Sequence, residues 1–106
     1  MLFILTKKIY FTILINMKHL KAKIYGRVQG VNFRFETLRK AEELGLSGWV
    51  ANQGDGSVYL EAEGEEGALN NFLDWCRQGS PAAQVEKVDY EFYDDRKGFE
   101  GFEISR

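Results

Sequence analysis

The chain is 106 residues long, with 44% hydrophobic residues, a single cysteine and a formal net charge of −2. This length is that of one domain, and one cysteine excludes a scaffold held together by internal disulfides. The mildly acidic balance argues against nucleic-acid binding, because affinity for phosphate backbones comes from clustered cations.

The first sixteen residues differ in composition from the rest. They read MLFILTKKIYFTILIN, are mostly large and apolar, and contain two lysines but no acidic residue. A membrane-spanning helix needs about 20 apolar residues, which is more than this stretch contains. A signal peptide carries its positive charge before the apolar run, whereas here apolar residues precede the lysines. We interpret residues 1–16 as an upstream-start extension or a loosely held arm, with a membrane anchor less favoured. Residues 17–106 are then the domain. Its net charge is more negative than that of the whole chain, because the two lysines of the extension lie outside it.

The first half of the domain is predicted to be a strand, a loop and a helix. Residues 20–25 alternate apolar and polar side chains, which indicates a half-buried strand. A glycine-punctuated loop follows at 26–31, and a helix is predicted over roughly 32–44 with Gly45 after its end. The apolar stripe of that helix is expected to contain Phe35, Leu38 and Ala41.

The second half of the domain repeats this order with an extra strand. A strand over 47–52, a turn at 53–56 and a returning strand form a hairpin. A helix is predicted over roughly 66–78 because its apolar residues follow the spacing i, i+3, i+4, i+7. These residues are Leu69, Phe72, Leu73 and Cys76. A fourth strand is marked by residues 88–92, and a short last strand by 102–104.

This order of elements, β-α-β-β-α-β with a short fifth strand appended, predicts a ferredoxin-like α+β sandwich. Right-handed crossovers place both helices on one face of an antiparallel sheet. Because this architecture supports many unrelated functions, function has to be argued from a site.

The two strand–helix junctions differ in charge. At the second, Glu63, Glu65 and Glu66 crowd the helix start, where carboxylates complement the helix dipole and repel phosphate. The first has no acidic residue between positions 26 and 31, and its glycines allow backbone N–H groups to form a concave nest. Arg34, in the first helical turn, can direct two N–H groups at the same point. The sequence therefore predicts an anion site at the first junction.

Two strings in the chain carry a family resemblance. Residues 26–34, GRVQGVNFR, closely resemble the acylphosphatase signature G-x-V-Q-G-V-x-F-R, and residues 45–52, GLSGWVAN, resemble its G-L-x-G-W-V-x-N. The resemblance covers about residues 18–106 and implies an enzyme that hydrolyses the carboxyl–phosphate anhydride without metal or cofactor. It implies that Arg34 and loop amides bind the phosphoryl group and that Asn52 orients the attacking water. The loop residues are Gln29, Gly30, Val31, Asn32 and Phe33.

This chemistry needs few groups. An acyl phosphate expels a carboxylate, whose pKa is about 4, so no strong general acid is required. Phosphoryl transfer depends mainly on positioning and charge stabilisation. We expect a small acyl phosphate as substrate with loose selectivity for its acyl part, a monomer in the cytoplasm, and neither nucleic acid nor membrane as partner.

Two alternatives stay open. Residues 97–104, KGFEGFEI, faintly resemble the RNP1 strand of an RNA-binding module, although Glu100 is inserted and Glu103 adds negative charge. Acylphosphatase-like domains also occur at the front of larger carbamoyl-transfer proteins that handle carbamoyl phosphate. The length of 106 residues favours a stand-alone enzyme over that second alternative.

Other polar candidates are expected to have structural roles. Cys76 lies on an apolar helix stripe and is predicted to be a buried, inert thiol. His19 stands alone at the start of the first strand and is predicted to be solvated. Asn52 has a competing interpretation, because asparagine often ends a strand simply to start a turn. Its position directly after the GWV string favours the catalytic interpretation.

Overall fold

The computed structural model describes residues 16–105, so the predicted extension lies outside the described residues except for its last one. Five strands and two helices follow one another along these residues: β1 (Met17–Arg27), α1 (Phe33–Glu43), β2 (Ser47–Asn52), β3 (Val58–Glu65), α2 (Glu66–Gln78), β4 (Gln84–Tyr93) and β5 (Phe102–Ile104). The ferredoxin-like α+β sandwich is confirmed. In the described part of the chain no helix has both the length and the apolarity to cross a membrane.

The strands form one sheet in the order β4-β1-β3-β2-β5. The first four pair antiparallel, as predicted, but β5 pairs parallel with β2, and Gly48 lies opposite Phe102. The expectation of a wholly antiparallel sheet is therefore wrong at this edge. The reason is the path of the chain. β4 ends beside His19, and β2 begins at the same end of the sheet. A chain that crosses this end therefore enters β5 running parallel to β2.

The core lies between the sheet and the two helices. Alternate residues of β1 contribute to it, and Leu20, Ala22 and Ile24 are at most 1% exposed. The predicted stripe of α2 is buried in full. Its cysteine, Cys76, is inaccessible, and burial raises the pKa of the thiol to about 12. This supports the predicted inert thiol, because only the thiolate is strongly nucleophilic.

The predicted stripe of α1 is wrong at one position. Phe35 is 49% exposed, whereas the buried residues of this helix are Phe33, Thr37 and Ala41. Residues four apart share one helix face, and Phe35 lies two positions after Phe33, on nearly the opposite side. The polar residue of the buried face is satisfied locally, because the Thr37 hydroxyl donates to the carbonyl of Phe33 at 2.7 Å.

His19 is buried, against the prediction that it is solvated. It is 2% exposed, and its Nδ1 lies 2.7 Å from Glu63 Oε2 and its Nε2 2.8 Å from Glu61 Oε1. The register of β1 and β3 causes this, since it sets His19 directly opposite Glu63. Glu63 also accepts the backbone N–H groups of residues 97–99. It therefore holds the segment between β4 and β5, rather than adding to the charge at the start of α2.

Candidate active site

The loop between β1 and α1 is shorter than predicted, because β1 continues through Arg27. Gly26 is a strand residue with φ 128°, at a register irregularity between β1 and β4. A Cβ atom there would lie 2.2 Å from the carbonyl oxygen of Gln84. This glycine is thus required by the close approach of β4, which corrects its predicted role in the loop. The connecting loop comprises residues 28–32.

Two residues of this loop adopt left-handed backbone conformations. Gly30 has φ 73°, and Asn32 has φ 65° and ψ 21°. Among residues 16–105, Asn32 is the only non-glycine residue with positive φ. Asparagine tolerates this region better than most residues, which cost about 1–2 kcal/mol there. Left-handed residues within a short loop turn N–H groups toward one side of the chain and create a concavity for anions.

The N–H groups of this loop are not used in folding. Within the part of the chain that the structure describes, no backbone N–H of Gln29–Phe33 donates to another group, and the helical bonds of α1 begin with Glu36 N donating to Asn32 O at 3.1 Å. The Asn32 side chain does not cap the helix either. Unbonded N–H groups at a helix start carry partial positive charge. These five groups are therefore available to an anion.

Three side-chain hydrogen bonds hold the loop in place. The carboxamide of Gln29 donates to the carbonyl oxygens of Gln53 at 2.8 Å and Ser57 at 2.9 Å. The Ser80 hydroxyl donates to the carbonyl of Val31 at 2.8 Å, from a position only 3% exposed. Sequence reasoning assigned only a backbone role to Gln29 and none to Ser80. The nearest sequence signal for Ser80 is the Gly-Ser-Pro string at 79–81, directly after α2.

Arg34 and Asn52 line the same cavity beside this loop. The cavity has a volume of about 570 Å³, and its walls are formed by Val28, Gly30, Asn32, Phe33, Arg34, Phe35, Asn52 and Ile104. None of these residues is acidic. Arg34 forms no ion pair with a described residue, whereas Arg39 on the same helix pairs with Glu36 at 3.4 Å. The guanidinium is thus free to meet an anion at the unbonded N–H groups.

Asn52, the last residue of β2, contains the one buried side-chain nitrogen or oxygen atom that lacks a hydrogen-bond partner among residues 16–105. That atom is Oδ1. A buried polar atom without a partner costs about 1–3 kcal/mol. The simple role of starting a turn does not account for this unpartnered oxygen. Asn52 as a residue lines the cavity.

The start of α2 is built differently. Glu65 Oε1 accepts the N–H of Gly67 at 3.3 Å, and Glu66 lies in the first turn. Carboxylates of the chain therefore already occupy this helix start. Elsewhere in residues 16–105, no group of three or more His, Cys, Asp or Glu side chains has a metal-binding arrangement. The RNP1-like segment is mostly irregular, and only residues 102–104 form a strand.

The chain is similar to one family throughout its described part. Residues 20–104 match the acylphosphatase family model. The chain is 47% identical over 89 residues to an acylphosphatase of Salinibacter ruber, which covers 84% of this chain and 94% of that relative. It is 48% identical over 92 residues to an acylphosphatase of Acaryochloris marina, which covers 86% and 97%.

The chain is also similar to solved structures. The crystal structure of acylphosphatase from Bacillus subtilis superposes with a TM-score of 0.83 at 35% identity, over 84% of this chain and 99% of that one. A structure of full-length HypF in a phosphate- and nucleotide-bound form also matches, with a TM-score of 0.74 at 26% identity. The match covers 85% of this chain but only 12% of HypF.

Proposed function

The chain belongs to the acylphosphatase family, and on that basis we propose how its residues hydrolyse an acyl phosphate. It is an enzyme that converts an acyl phosphate and water to a carboxylate and inorganic phosphate. One observation carries the residue-level proposal. Three loop residues with unbonded amides (Gly30, Asn32 and Phe33), the unpaired Arg34, and Asn52 with its unpartnered Oδ1 line a single cavity, and no acidic residue lines it.

The loop amides and Arg34 bind the phosphoryl group. The N–H groups of Gln29–Phe33 donate to its oxygens, and the guanidinium of Arg34 makes two parallel hydrogen bonds to them. These donors are held in place before substrate arrives, by Gln29 and Ser80 among others. Preorganised donors stabilise the charge that spreads over the phosphoryl oxygens in the transition state.

Asn52 positions the water. Its Oδ1 accepts a hydrogen bond from one O–H of the water, which leaves an oxygen lone pair directed at phosphorus. The water oxygen then bonds to phosphorus while the bond from phosphorus to the acyl oxygen breaks, and the carboxylate departs with the electron pair. One water proton stays on the new phosphate hydroxyl and the other passes to a phosphoryl oxygen. No side chain has to protonate the leaving group, because a carboxylate with a pKa of about 4 is stable as the anion.

The assignment is tested by comparing benzoyl phosphate with phenyl phosphate, both in the presence of EDTA. We expect rapid, chelator-insensitive hydrolysis of benzoyl phosphate. Phenyl phosphate should react at least about 100 times more slowly, because its leaving group has a pKa near 10 and no general acid is provided. Equal rates on the two substrates, or loss of activity with EDTA, would contradict the mechanism. Carbamoyl phosphate, assayed in parallel, tests the alternative substrate directly.

The domain boundary, the assembly state and the compartment are further parts of the proposal. Residues 17–106 are proposed to suffice for catalysis, since β1 begins at Met17 and the family match begins at residue 20. A chain started at Met17 should keep the full kcat/KM. The protein is proposed to be a cytoplasmic monomer, in keeping with one buried cysteine and few exposed large apolar side chains among the described residues. Light scattering and cell fractionation test these two points.

A further inference from the structure

Phe35 is an exposed aromatic side chain in an unusual place. Among residues 16–105 only three large hydrophobic side chains are exposed: Phe35, Tyr90 and Tyr93. The two tyrosines belong to β4, at the sheet edge opposite β2 and β5. Phe35 instead lines the cavity that contains Arg34 and Asn52, so this exposed apolar surface lies directly beside the proposed reaction site.

Within residues 16–105, Phe35 belongs neither to the hydrophobic core nor to the half-buried residues packed against it. The helix face that packs on the core is formed by Phe33 and two later residues, and Phe35 points away from that face. Leaving an aromatic ring half in water forgoes the stabilisation that burial provides. Its half-buried neighbour in the cavity wall, Ile104 of β5, is also apolar. One part of the wall is therefore apolar, although the phosphoryl group needs only hydrogen-bond donors.

The size of the cavity leaves room for more than phosphate. Its volume of about 570 Å³ lies within the range of roughly 300–1,000 Å³ that is typical of small-molecule pockets. Since Phe35 both lines the cavity and is half exposed, it lies at the mouth. An acyl group attached to a phosphoryl group in the loop has to extend toward that mouth, because the loop and Arg34 surround the phosphoryl oxygens.

We infer that Phe35, together with Ile104, contacts the acyl group and makes this enzyme favour aromatic or apolar acyl phosphates over small polar ones. The inference rests on the proposed function. Aromatic rings stack on one another in offset or edge-to-face geometry. The contact forms when substrate binds and persists in the transition state. The reason is that the phosphoryl group, and not the acyl group, is transferred to water. Such uniform binding acts on KM and leaves kcat nearly unaffected.

The test is the ratio of kcat/KM for benzoyl phosphate to that for acetyl phosphate. In Phe35→Ala we expect this ratio to fall about three- to tenfold, mainly through a higher KM for benzoyl phosphate. Phe35→Leu keeps an apolar side chain at the position and should show a smaller fall. Tyr90→Ala removes an exposed ring of similar size on the distant edge strand and should keep the wild-type ratio.

Inhibition by inorganic phosphate separates the acyl contact from an effect on the phosphate loop. The inhibition constant should change less than about twofold in Phe35→Ala. An unchanged substrate ratio in both Phe35 variants would overturn the inference, as would equal losses on both substrates with a matching loss of phosphate affinity. A wild-type enzyme that hydrolyses neither acyl phosphate would overturn the proposed function, and this inference with it.

Discussion

The carboxamide of Gln29 donates a hydrogen bond to the backbone carbonyl of Gln53 at 2.8 Å, which connects the phosphate loop to the end of β2. Gln53 directly follows Asn52, and the same carboxamide also donates to the carbonyl of Ser57 on the far side of the turn. One side chain therefore fixes the distance between the proposed phosphate donors and the proposed water ligand. We therefore propose that Gln29 is a positioning residue.

Replacing Gln29 with alanine should lower kcat more than it lowers phosphate affinity. Small displacements of a reacting group can reduce rates by as much as about 100-fold, and we expect a loss of about 10-fold or more in kcat. The inhibition constant of inorganic phosphate reports on the loop alone and should move less. Gln78→Ala, at the exposed end of α2, is the matched control. A kcat equal to that of the wild type would refute the positioning role.

Replacing Arg34 with alanine should remove most activity while the protein stays folded. Loss of one preorganised donor typically reduces the rate about 10²–10³-fold, and a charged donor to phosphate is expected to reach or exceed this. Arg34→Lys should recover only part of the rate, because an ammonium lacks the planar pair of donors. Arg39→Ala, on the same helix, controls for loss of surface charge. Near-wild-type kcat/KM in Arg34→Ala at unchanged thermal stability would exclude the assigned role.

The backbone at Asn32 predicts an uncommon ranking of substitutions. Asn32→Gly should retain stability and activity, because glycine adopts a φ of 65° without strain. Asn32→Val should lower the free energy of unfolding by about 1–2 kcal/mol and reduce activity, since β-branched residues disfavour this conformation. Urea denaturation and kcat/KM measure the two effects. If valine is tolerated as well as glycine, the left-handed conformation at this position is not required.

The buried carboxylate of Glu63 should make stability depend on pH. Burial alone would raise the pKa of Glu63, but hydrogen bonds from His19 and from the amides of residues 97–99 outweigh it and hold the pKa below its usual value. A lowered pKa contributes stability above the unfolded-state pKa of 4.5, and this stability is lost as pH falls through the folded-state pKa. The free energy of unfolding should therefore decrease below about pH 4.5.

The matched variants for this prediction are Glu63→Gln and Glu86→Gln. At pH 7 Glu63→Gln should reduce the free energy of unfolding by about 1–3 kcal/mol, because it removes the charged acceptor that contacts His19 and the amides of residues 97–99. It should also flatten the acid limb of the stability profile measured by urea denaturation between pH 3.5 and 7. Glu86 is exposed on β4 and serves as the control. Identical acid limbs in wild type and Glu63→Gln would contradict the prediction.

The elements were predictable because their patterns are local. The alternation around Leu20 and the helical spacing that ends at Cys76 depend only on neighbouring residues. The exposure of Phe35 was missed because the buried face of α1 consists of Phe33, Thr37 and Ala41. A pattern of apolar residues does not include a threonine, so this face was not recognised. The burial of His19 was missed for a different reason. It depends on which residue of β3 lies opposite, and that register is not visible within β1.

The site was predictable only in part. Arg34 and Asn52 are distant in sequence, and no local pattern relates them. Their placement on one cavity could be predicted only from the family resemblance. The unpartnered Oδ1 of Asn52 and the hydrogen bonds of Gln29 are tertiary features. The apolar wall at Phe35 and Ile104 depends on β5 reaching the edge of β2, which the antiparallel expectation did not include.

The central claim is that Asn52 holds the attacking water while Arg34 and the loop hold the phosphoryl group. The most direct test is kcat for benzoyl phosphate in Asn52→Ala, with the inhibition constant of inorganic phosphate measured on the same sample and Asn70→Ala as control. We predict a fall of about 10²–10³-fold in kcat, with phosphate affinity within about twofold of wild type. A kcat within about threefold of the wild-type value would contradict it.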